Sequence, residues 1–241
     1  MEAMLENLLQ TGALELGVNL GKNEVLLYVK YLDILLEWNK KINLTSITDP
    51  EEVVLKHFLD SIAAVPYLEK KESLRIMDIG TGAGFPGVPV KIACPEADMV
   101  LLDSLKKRIT FLNHLIEELG LAGIKAIHGR AEDLCRQEGF REAFDVVTSR
   151  AVANLTVIAE LCLPFVKVGG VFIAYKGPRA REEVEESKGA LEILGGSLRK
   201  MITITLPKSR DERNLIFIAK EKETPEKYPR KAGIPEKRPL K

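Results

Sequence analysis

The sequence contains few of the residues that mark secreted or metal-dependent proteins. Its 241 residues include three cysteines and three histidines. The cysteines form no C-x-x-C pair and are too scattered for a disulfide framework, which argues against a disulfide-rich secreted domain. The histidines, at positions 57, 114 and 128, share no spacing typical of metal ligands. We therefore expect no intrinsic metal site.

Long apolar runs are missing as well. No segment reaches the 18 or so unbroken apolar residues that a membrane-spanning helix requires, and the first residues, MEAMLENLLQ, are acidic where a signal peptide would be basic. These absences predict a cytoplasmic protein without a membrane segment. Lys and Arg total 35, as do Asp and Glu, so the formal net charge is zero. Any attraction to nucleic acid must therefore come from local basic patches.

What is present is the composition of a globular chain, 46% hydrophobic and 29% charged. Apolar residues between Glu24 and Lys41 recur at intervals of three and four, which indicates an amphipathic helix. Asp49-Pro50-Glu51-Glu52 has the signature of a capping box ahead of a second helix, Val53 to Tyr67. The first seventy or so residues are therefore predicted to be helical.

After Leu74 the pattern changes to short buried strands that alternate with helices. This alternation predicts an α/β fold with a mostly parallel, doubly wound sheet. Two later apolar runs flank a polar loop without room for a helix, and so predict a terminal antiparallel hairpin. The strands are predicted at 74–79, 98–102, 144–148 and 170–175, the helices at 106–119, 155–166 and 180–194, and the hairpin at 198–206 and 215–220.

The chain is expected to divide into three parts. Residues 1–72 form an N-terminal helical extension, 73–223 the α/β domain, and 224–241 a basic, proline-rich C-terminal tail. Because proline disfavours both helix and strand, the tail is expected to be loose and to serve, if at all, as a contact to RNA.

The most informative segment is the glycine loop, Asp78-Ile-Gly-Thr-Gly-Ala-Gly-Phe-Pro-Gly87, which directly follows a predicted strand. Glycines there allow a tight turn and bring a ligand close to the backbone, and Asp103 at the end of the next strand can accept hydrogen bonds from ribose hydroxyls. The loop predicts an adenosine cofactor. A carboxylate at Asp78 suits the ammonium of S-adenosylmethionine better than a dinucleotide pyrophosphate.

These residues resemble a known family. The bacterial ribosomal RNA small subunit methyltransferase G family, also called glucose-inhibited division protein B, has similar motifs from about residue 20 to the C-terminus. They are the glycine loop together with Asn43-Leu-Thr-Ser-Ile, His57-Phe-Leu-Asp-Ser61, Leu101-Leu-Asp-Ser104, Ser149-Arg-Ala151, Lys176-Gly177 and Tyr228-Pro-Arg-Lys231. The resemblance implies a Rossmann-like class I S-adenosylmethionine-dependent fold. It also implies an enzyme that forms 7-methylguanosine in 16S rRNA, at guanosine 527 of the 530 loop.

The resemblance also assigns residues. Gly80 and Phe85 would contact the methionine part of the cofactor, Asp103 the ribose, and Ala131 with Glu132 the adenine. The cofactor set as a whole is Asp78, Gly80, Gly82, Gly84, Phe85, Asp103, Ala131, Glu132 and Arg150, and the RNA set is Arg150, Lys176, Arg179 and His57. Two structural alternatives stay open, since Arg150 could form a surface ion pair and Glu132 could cap a helix.

Guanine N7 carries a lone pair and no proton, so methylation there needs no general base. No catalytic acid or base is therefore nominated, although His57 and Asp60 lie three apart on one predicted helix. They form either an acid–base pair or a structural or RNA-orienting pair. The expected partner is 16S rRNA in the small ribosomal subunit, and the protein is expected to be a monomer. Two other functions remain open: methylation of a small molecule or protein, and a non-catalytic ribosome-assembly factor.

Overall fold

The structure is a computed structural model that describes residues 2–69, 73–150, 152–209 and 211–241. Within these ranges no helix is both long and apolar enough to cross a membrane. The same ranges contain no group of three or more His, Cys, Asp or Glu side chains that could hold a metal ion. The predicted domain boundary after residue 72 falls outside the described residues and stays a prediction.

Among the described residues, seven strands form one sheet. They are β1 Arg75–Ile79, β2 Asp98–Asp103, β3 Ile124–His128, β4 Phe144–Arg150, β5 Val166–Lys176, β6 Gly196–Thr205 and β7 Glu212–Lys220. Their spatial order is β3-β2-β1-β4-β5-β7-β6. The first five strands pair in parallel, whereas β7 is antiparallel to both β5 and β6. The predicted α/β fold with a terminal antiparallel hairpin is confirmed.

Helices cover the sheet and connect its strands. In the described part of the chain they are α1 Glu2–Glu15, α2 Lys22–Asn39, α3 Pro50–Val53, α4 Asp60–Ile62, α5 Gly87–Ala93, α6 Lys106–Leu119, α7 Ala131–Leu134, α8 Leu155–Cys162, α9 Ala180–Ile193 and α10 Ile234–Lys237. A π-helical segment, Val54–Leu59, joins α3 to α4. The Asp49 side chain caps α3 by accepting a hydrogen bond from the Glu52 N–H, as predicted.

Two helix ends and one strand differ from the sequence prediction in ways that have a clear physical cause. The second helix ends at Ile62 instead of Tyr67 because Pro66 opens a 3-10 turn. Pro164 likewise ends α8 early and lets β5 begin at Val166. Strand β3 was not among the predicted strands, because at the edge of the sheet its residues are only partly buried and its sequence, IKAIH, lacks a clear apolar run.

Alternate residues of the strands enter two cores, one on each face of the sheet. In β1, Ile76 contributes to the core that includes α1, α2 and α6, while Met77 contributes to the core that includes α8 and α9. Tyr28 and Tyr31 of α2 are fully buried in the first core. The N-terminal helices therefore share the hydrophobic core of the sheet.

The C-terminal segment, residues 224–241, is also packed, so the prediction that it is loose is wrong. Thr224, Tyr228 and Pro235 are buried. Proline prevents the segment from joining the sheet, yet its backbone carbonyls are still able to accept hydrogen bonds. Arg141 donates to the carbonyls of Thr224 and Tyr228 and so attaches the segment to the loop before β4.

The segment begins at a buried charge. The Lys220 side chain is 0% exposed, and its Nζ donates to Glu142 Oε1 at 2.8 Å, to the Leu163 carbonyl at 2.7 Å and to Thr224 Oγ1 at 2.7 Å. Burial lowers the pKa of Lys220, and the hydrogen bond and charge of Glu142 oppose that shift. The cluster connects the end of β7, the loop before β4 and the start of the C-terminal segment.

We expect Lys220→Met to lower the free energy of unfolding by about 3–5 kcal/mol, because it leaves the Glu142 carboxylate without its partner. Lys222→Met, two residues further on at an exposed position, should change it by less than about 0.5 kcal/mol. Urea denaturation followed by circular dichroism measures both. Equal stabilities of the two variants would contradict this account of Lys220.

Candidate functional site

A cavity of about 490 Å³ opens at the carboxyl ends of the parallel strands. It lies where the order of the strands reverses between β1 and β4, which is where ligands of open α/β sheets bind. Its volume is in the usual range for a small-molecule site. Its walls come from the glycine loop, the ends of β2 and β4, the start of α7, the inner face of α8, and the C-terminal segment. Among them are Leu44, Gly80, Gly82, Phe85, Asp103, Ala131, Glu132, Arg150, Val157, Leu161, Gly233, Pro235 and Glu236.

The glycine loop is attached to the neighbouring strand. The N–H groups of Gly80 and Thr81 donate to the Leu102 carbonyl at 2.9 and 3.1 Å. Gly82 has φ +62°, and a Cβ built on it would meet no atom within 4 Å. That Cβ would therefore stand in open space at the cavity wall. The absence of a side chain at Gly82 fits a cofactor that approaches the backbone closely.

Gly84 serves a different purpose from the one the sequence suggested. It is not on the cavity wall, and a Cβ there would lie 2.8 Å from both Tyr31 Oη and Val88 Cγ2. The Tyr31 hydroxyl donates to the Ala83 carbonyl. Gly84 therefore lets α2 pack against the loop, and both this packing and its φ of +96° favour glycine.

Asp78 is likewise behind the loop. It is fully buried, with Oδ2 accepting from the Gly87 N–H at 2.9 Å and Oδ1 accepting from Thr148 Oγ1 at 3.0 Å. Burial raises the pKa of Asp78 to about 6, while these hydrogen bonds oppose the rise. The expectation that Asp78 faces a ligand ammonium disagrees with this placement, because the carboxylate is enclosed between the loop and β4. Its contacts hold the start of α5 against the sheet.

Asp103 lies on the cavity wall at the end of β2, as predicted. One carboxylate oxygen accepts from the Gly82 N–H at 2.9 Å and from Arg108 at 3.1 Å, and the other from the Leu105 N–H at 2.9 Å. Each carboxylate oxygen has more than one acceptor direction, so a ribose hydroxyl could still donate to this group. Ala131 and Glu132 face the same cavity from the start of α7. Glu132 is the second residue of that helix, so it is not its N-cap.

A cluster of aromatic and charged side chains forms the next part of the wall. The ring of His57 stacks on Phe85 with centroids 4.5 Å apart, and the Arg150 guanidinium lies 5.1 Å from the centre of the Phe85 ring. Arg150 also forms an ion pair of 2.9 Å with the buried Asp60. Phe85 and Arg150 face the cavity, whereas His57 is not among the wall residues.

The hydrogen bonds of His57 identify its protonation state. Arg150 Nη2 is 3.3 Å from Nδ1, and Thr45 Oγ1 is 2.7 Å from Nε2. Arginine only donates, so Nδ1 accepts and Nε2–H donates to Thr45. Burial, with a further contribution from Arg150, lowers the pKa of His57 to about 3. The ring is neutral and both nitrogens are engaged, and Arg150 is paired with Asp60, so His57 and Asp60 do not form an acid–base pair.

Two predicted RNA contacts are not on the cavity wall, although Lys176 contacts the wall residue Ala153 from behind. Lys176 Nζ forms an ion pair of 2.8 Å with Glu183 and donates to the Ala153 carbonyl, and its side chain is 10% exposed. Arg179 is exposed and paired with Glu182 on the surface. Neither is among the cavity residues, and Ala151, which follows Arg150 in the predicted motif, lies outside the described residues. The sequence analysis assigned no role to Tyr31, included Thr45 only as part of the motif Asn43-Leu-Thr-Ser-Ile, and expected the C-terminal segment to contact RNA, not to border this cavity.

Comparison with solved structures supports the fold. The crystal structure of NSun6 from Pyrococcus horikoshii with SFG superposes with a TM-score of 0.56, at 16% sequence identity over 68% of this chain and 52% of that chain. The parallel sheet, the glycine loop and the cavity at the strand ends, taken with the family match below, define the chain as a class I S-adenosylmethionine-dependent methyltransferase.

The sequence comparison is more specific. Residues 25–216 match the family model described as rRNA small subunit methyltransferase G. The chain is 49% identical over 235 residues to the ribosomal RNA small subunit methyltransferase G from Clostridium tetani, covering 98% of both chains. It is 50% identical over 226 residues to the protein of the same name from Oceanobacillus iheyensis, covering 94% of this chain and 95% of that protein. This chain belongs to the rRNA small subunit methyltransferase G family.

We expect the His57 ring to remain neutral from pH 5 to 8, because its pKa is lowered to about 3. Its NMR ring resonances should not titrate in that interval, and a midpoint near the ordinary value of about 6.5 would contradict the burial argument. The unfolded chain takes up the proton near pH 6.5 and the folded one near 3. The free energy of unfolding should therefore decline as pH falls through this window, and less so in His57→Gln.

Proposed function

We propose that this enzyme transfers a methyl group from S-adenosylmethionine to N7 of a guanine in 16S rRNA of the small ribosomal subunit. Following the family resemblance, the target is guanosine 527 in the 530 loop. The observation that carries the proposal is a cofactor-sized cavity whose wall includes Phe85 and Arg150, in a chain that matches the rRNA small subunit methyltransferase G family over residues 25–216. A ribosomal RNA substrate implies that the enzyme acts in the cytoplasm, and we propose that it does so as a monomer.

The cavity residues suggest how the cofactor is held. Gly80 and Gly82 would lie along its methionine part, with Phe85 beside them. Asp103 would accept from the ribose, and Ala131 with Glu132 would border the adenine. When bound, S-adenosylmethionine supplies a methyl group on a sulfonium. Asp78 supports this cradle from behind through its hydrogen bond with the Gly87 N–H, and Gly84 supports it by leaving room for Tyr31.

The chain's task in N7 methylation is mainly to orient the base, since the nucleophile is a lone pair that requires no deprotonation. The Arg150 guanidinium borders the cavity and offers a plane of the kind on which unstacked bases are bound, while the buried Phe85 ring, stacked with His57 and Tyr31, lies beside it. The guanidinium is held against the ring by Asp60, so its orientation is fixed before the base arrives. His57 stacks on the Phe85 ring as a neutral partner and so helps to hold that ring in place. We assign His57 a positioning role.

The charge of this cluster also suits the product. A guanine methylated at N7 becomes cationic, and an unpaired arginine beside it would oppose the reaction. The Asp60 carboxylate, 2.9 Å from Arg150, neutralises that arginine. Burial raises the pKa of Asp60, but the charges of Arg150 and Arg213 and the hydrogen bond from Arg150 oppose that shift. The paired cluster can therefore orient a base without repelling the charge that develops on it.

RNA phosphates would meet exposed cations around the cavity. Lys106 and Lys107 are exposed in the first turn of α6, directly after the loop that follows Asp103, and the exposed Arg130 is itself on the cavity wall. Arg150 is the one member of the predicted RNA set on that wall. Lys176 and Arg179 would contribute at most to the periphery, because each is already paired with a glutamate. With zero net charge, this local patch would supply the electrostatic attraction.

Gly82→Ala and Gly84→Ala should separate cofactor binding from packing. Because the new methyl at Gly82 points into the cavity, we expect the Kd for S-adenosylmethionine to rise about tenfold or more, equivalent to about 1.4 kcal/mol. The positive φ should cost about 1–2 kcal/mol of stability. Gly84→Ala should lose more stability than Gly82→Ala, because its methyl meets Tyr31 and Val88.

Calorimetric titration and thermal unfolding measure the two effects. Normal cofactor affinity in a folded Gly82→Ala protein would contradict the placement of the cofactor against this loop. Thermal stability of Gly84→Ala equal to that of the wild type would contradict the packing argument.

The product of the reaction is directly testable. An N7-methylated guanine is labile to borohydride and aniline, so strand scission should map one site in 16S rRNA from cells that contain the enzyme, and that scission should vanish in a deletion strain. Restoring the wild-type gene is the control. Unchanged scission, or labelled methyl recovered in a protein or small-molecule fraction, would refute the assignment. Complementation by a variant that does not bind S-adenosylmethionine would point to an assembly factor.

A further inference from the structure

The C-terminal segment, residues 224–241, supplies part of the cavity. Gly233, Pro235 and Glu236 are wall residues of the same cavity that Gly82 and Asp103 border. We infer that this segment closes the adenine end of the cofactor site, and that the ion pair between Arg230 and Glu160 holds it there. The inference rests on the proposed placement of the cofactor and adds a positioning residue for its binding.

The order of the strands indicates which end of the cavity would hold the adenine. The glycine loop follows β1, Asp103 ends β2 and Ala131 follows β3, and these strands lie side by side in the order β3-β2-β1. A cofactor with its methionine part at the glycine loop and its ribose at Asp103 therefore extends its adenine towards Ala131. Val157 and Leu161 of α8 border this cavity as well. The C-terminal segment contacts α8 through α10, whose Pro235 is buried.

We call the Arg230–Glu160 ion pair the clamp, because its contacts are short and bidentate. Arg230 Nη2 lies 2.6 Å from Glu160 Oε2, Nε lies 2.8 Å from Oε1, and the backbone N–H of Arg230 donates to Oε1 at 2.9 Å. The Glu160 side chain is 1% exposed. A bidentate, charge-assisted pair on a buried carboxylate fixes both distance and orientation. Glu160 lies on α8 one residue before the wall residue Leu161, so the clamp joins two walls of one cavity.

Separate contacts anchor the start of the segment. Arg141 donates to the carbonyls of Thr224 and Tyr228, and Arg136 donates to the Pro229 carbonyl at 2.9 Å. All of these contacts precede Arg230 in the chain. Among the polar contacts described for the segment, the Arg230–Glu160 pair is therefore the last side-chain ion pair before the wall residues. Losing it would loosen residues 231–241, which would then be held only by apolar packing such as that of Pro235 and Leu240, while the earlier part of the segment stays attached.

Without the Arg230–Glu160 ion pair, binding of the cofactor should weaken while the methyl-transfer step is unchanged. The loosened residues would have to become ordered when the cofactor binds, which reduces affinity. The guanine-orienting cluster around Arg150 belongs to the glycine loop, β4, the π-helical segment and α4, and it has no described contact with residues 224–241. We therefore expect KM for S-adenosylmethionine to rise while kcat at saturating cofactor is preserved.

Two variants test this. The first ends the chain after Ala232, which removes the wall residues and keeps the ion pair. The second is the full-length double variant Glu160→Gln/Arg230→Met, which breaks the clamp without leaving a buried charge unpaired. Each should raise the Kd and KM for S-adenosylmethionine about tenfold or more, with kcat within about twofold of the wild type. Lys231→Ala, exposed beside Arg230, is the matched control and should bind the cofactor normally.

The readouts separate the possible outcomes. A merely structural role would lower the active fraction and therefore kcat, with KM unchanged, and this result would overturn the inference. Wild-type Kd in the folded truncated protein would overturn it as well. If truncation prevents folding, the double variant decides. Gly82→Ala separates the placement of the cofactor from the role of the C-terminal segment. If Gly82→Ala abolishes cofactor binding while both C-terminal variants bind normally, the cofactor placement stands and the role of this segment is refuted.

Discussion

The buried carboxylate of Asp78 fixes the position of the loop around which the site is organised. It receives hydrogen bonds from the Gly87 N–H and from Thr148, and so connects β1, the start of α5 and β4 at one point. A buried carboxylate is costly unless its hydrogen bonds are satisfied, which makes this arrangement strict. The glycine loop between Asp78 and Gly87 thus has both ends defined, and its N–H groups face the end of β2.

The N-terminal helices complete the support of this loop from the other side. Tyr31 donates to the Ala83 carbonyl and stacks on Phe85, and Tyr28 donates to the Pro89 carbonyl at 2.6 Å. The π-helical segment that carries His57 packs against the same Phe85 ring. A residue of the cofactor loop therefore also orients the proposed guanine surface. The extension is in this way part of the site, because its side chains determine where Phe85 lies.

Pairing of charges is the second feature that recurs around the cavity. Arg150 is paired with Asp60, Arg108 with Asp103, and Arg230 with Glu160. In each pair the carboxylate is buried and the arginine is more exposed. The carboxylate therefore orients the guanidinium group and also offsets its positive charge. The consequence is a site whose local charge is balanced, with phosphate attraction left to exposed cations at its border. This agrees with a chain whose overall net charge is zero.

The sequence by itself determined the architecture and the position of the glycine loop and Asp103 at the ends of neighbouring strands. Strands and helices were readable because their apolar periods are strong, and the spacing of the glycine loop and Asp103 was readable because both follow predicted strands. Tertiary structure decided the rest. Gly82 and Gly84 look alike in sequence, yet one faces open space and the other Tyr31, a difference that depends on a helix much earlier in the chain. Likewise, the proline content predicted a loose C-terminal segment, but long-range contacts such as that of Arg230 with Glu160 pack it against the cavity, and long-range pairing has no local sequence pattern.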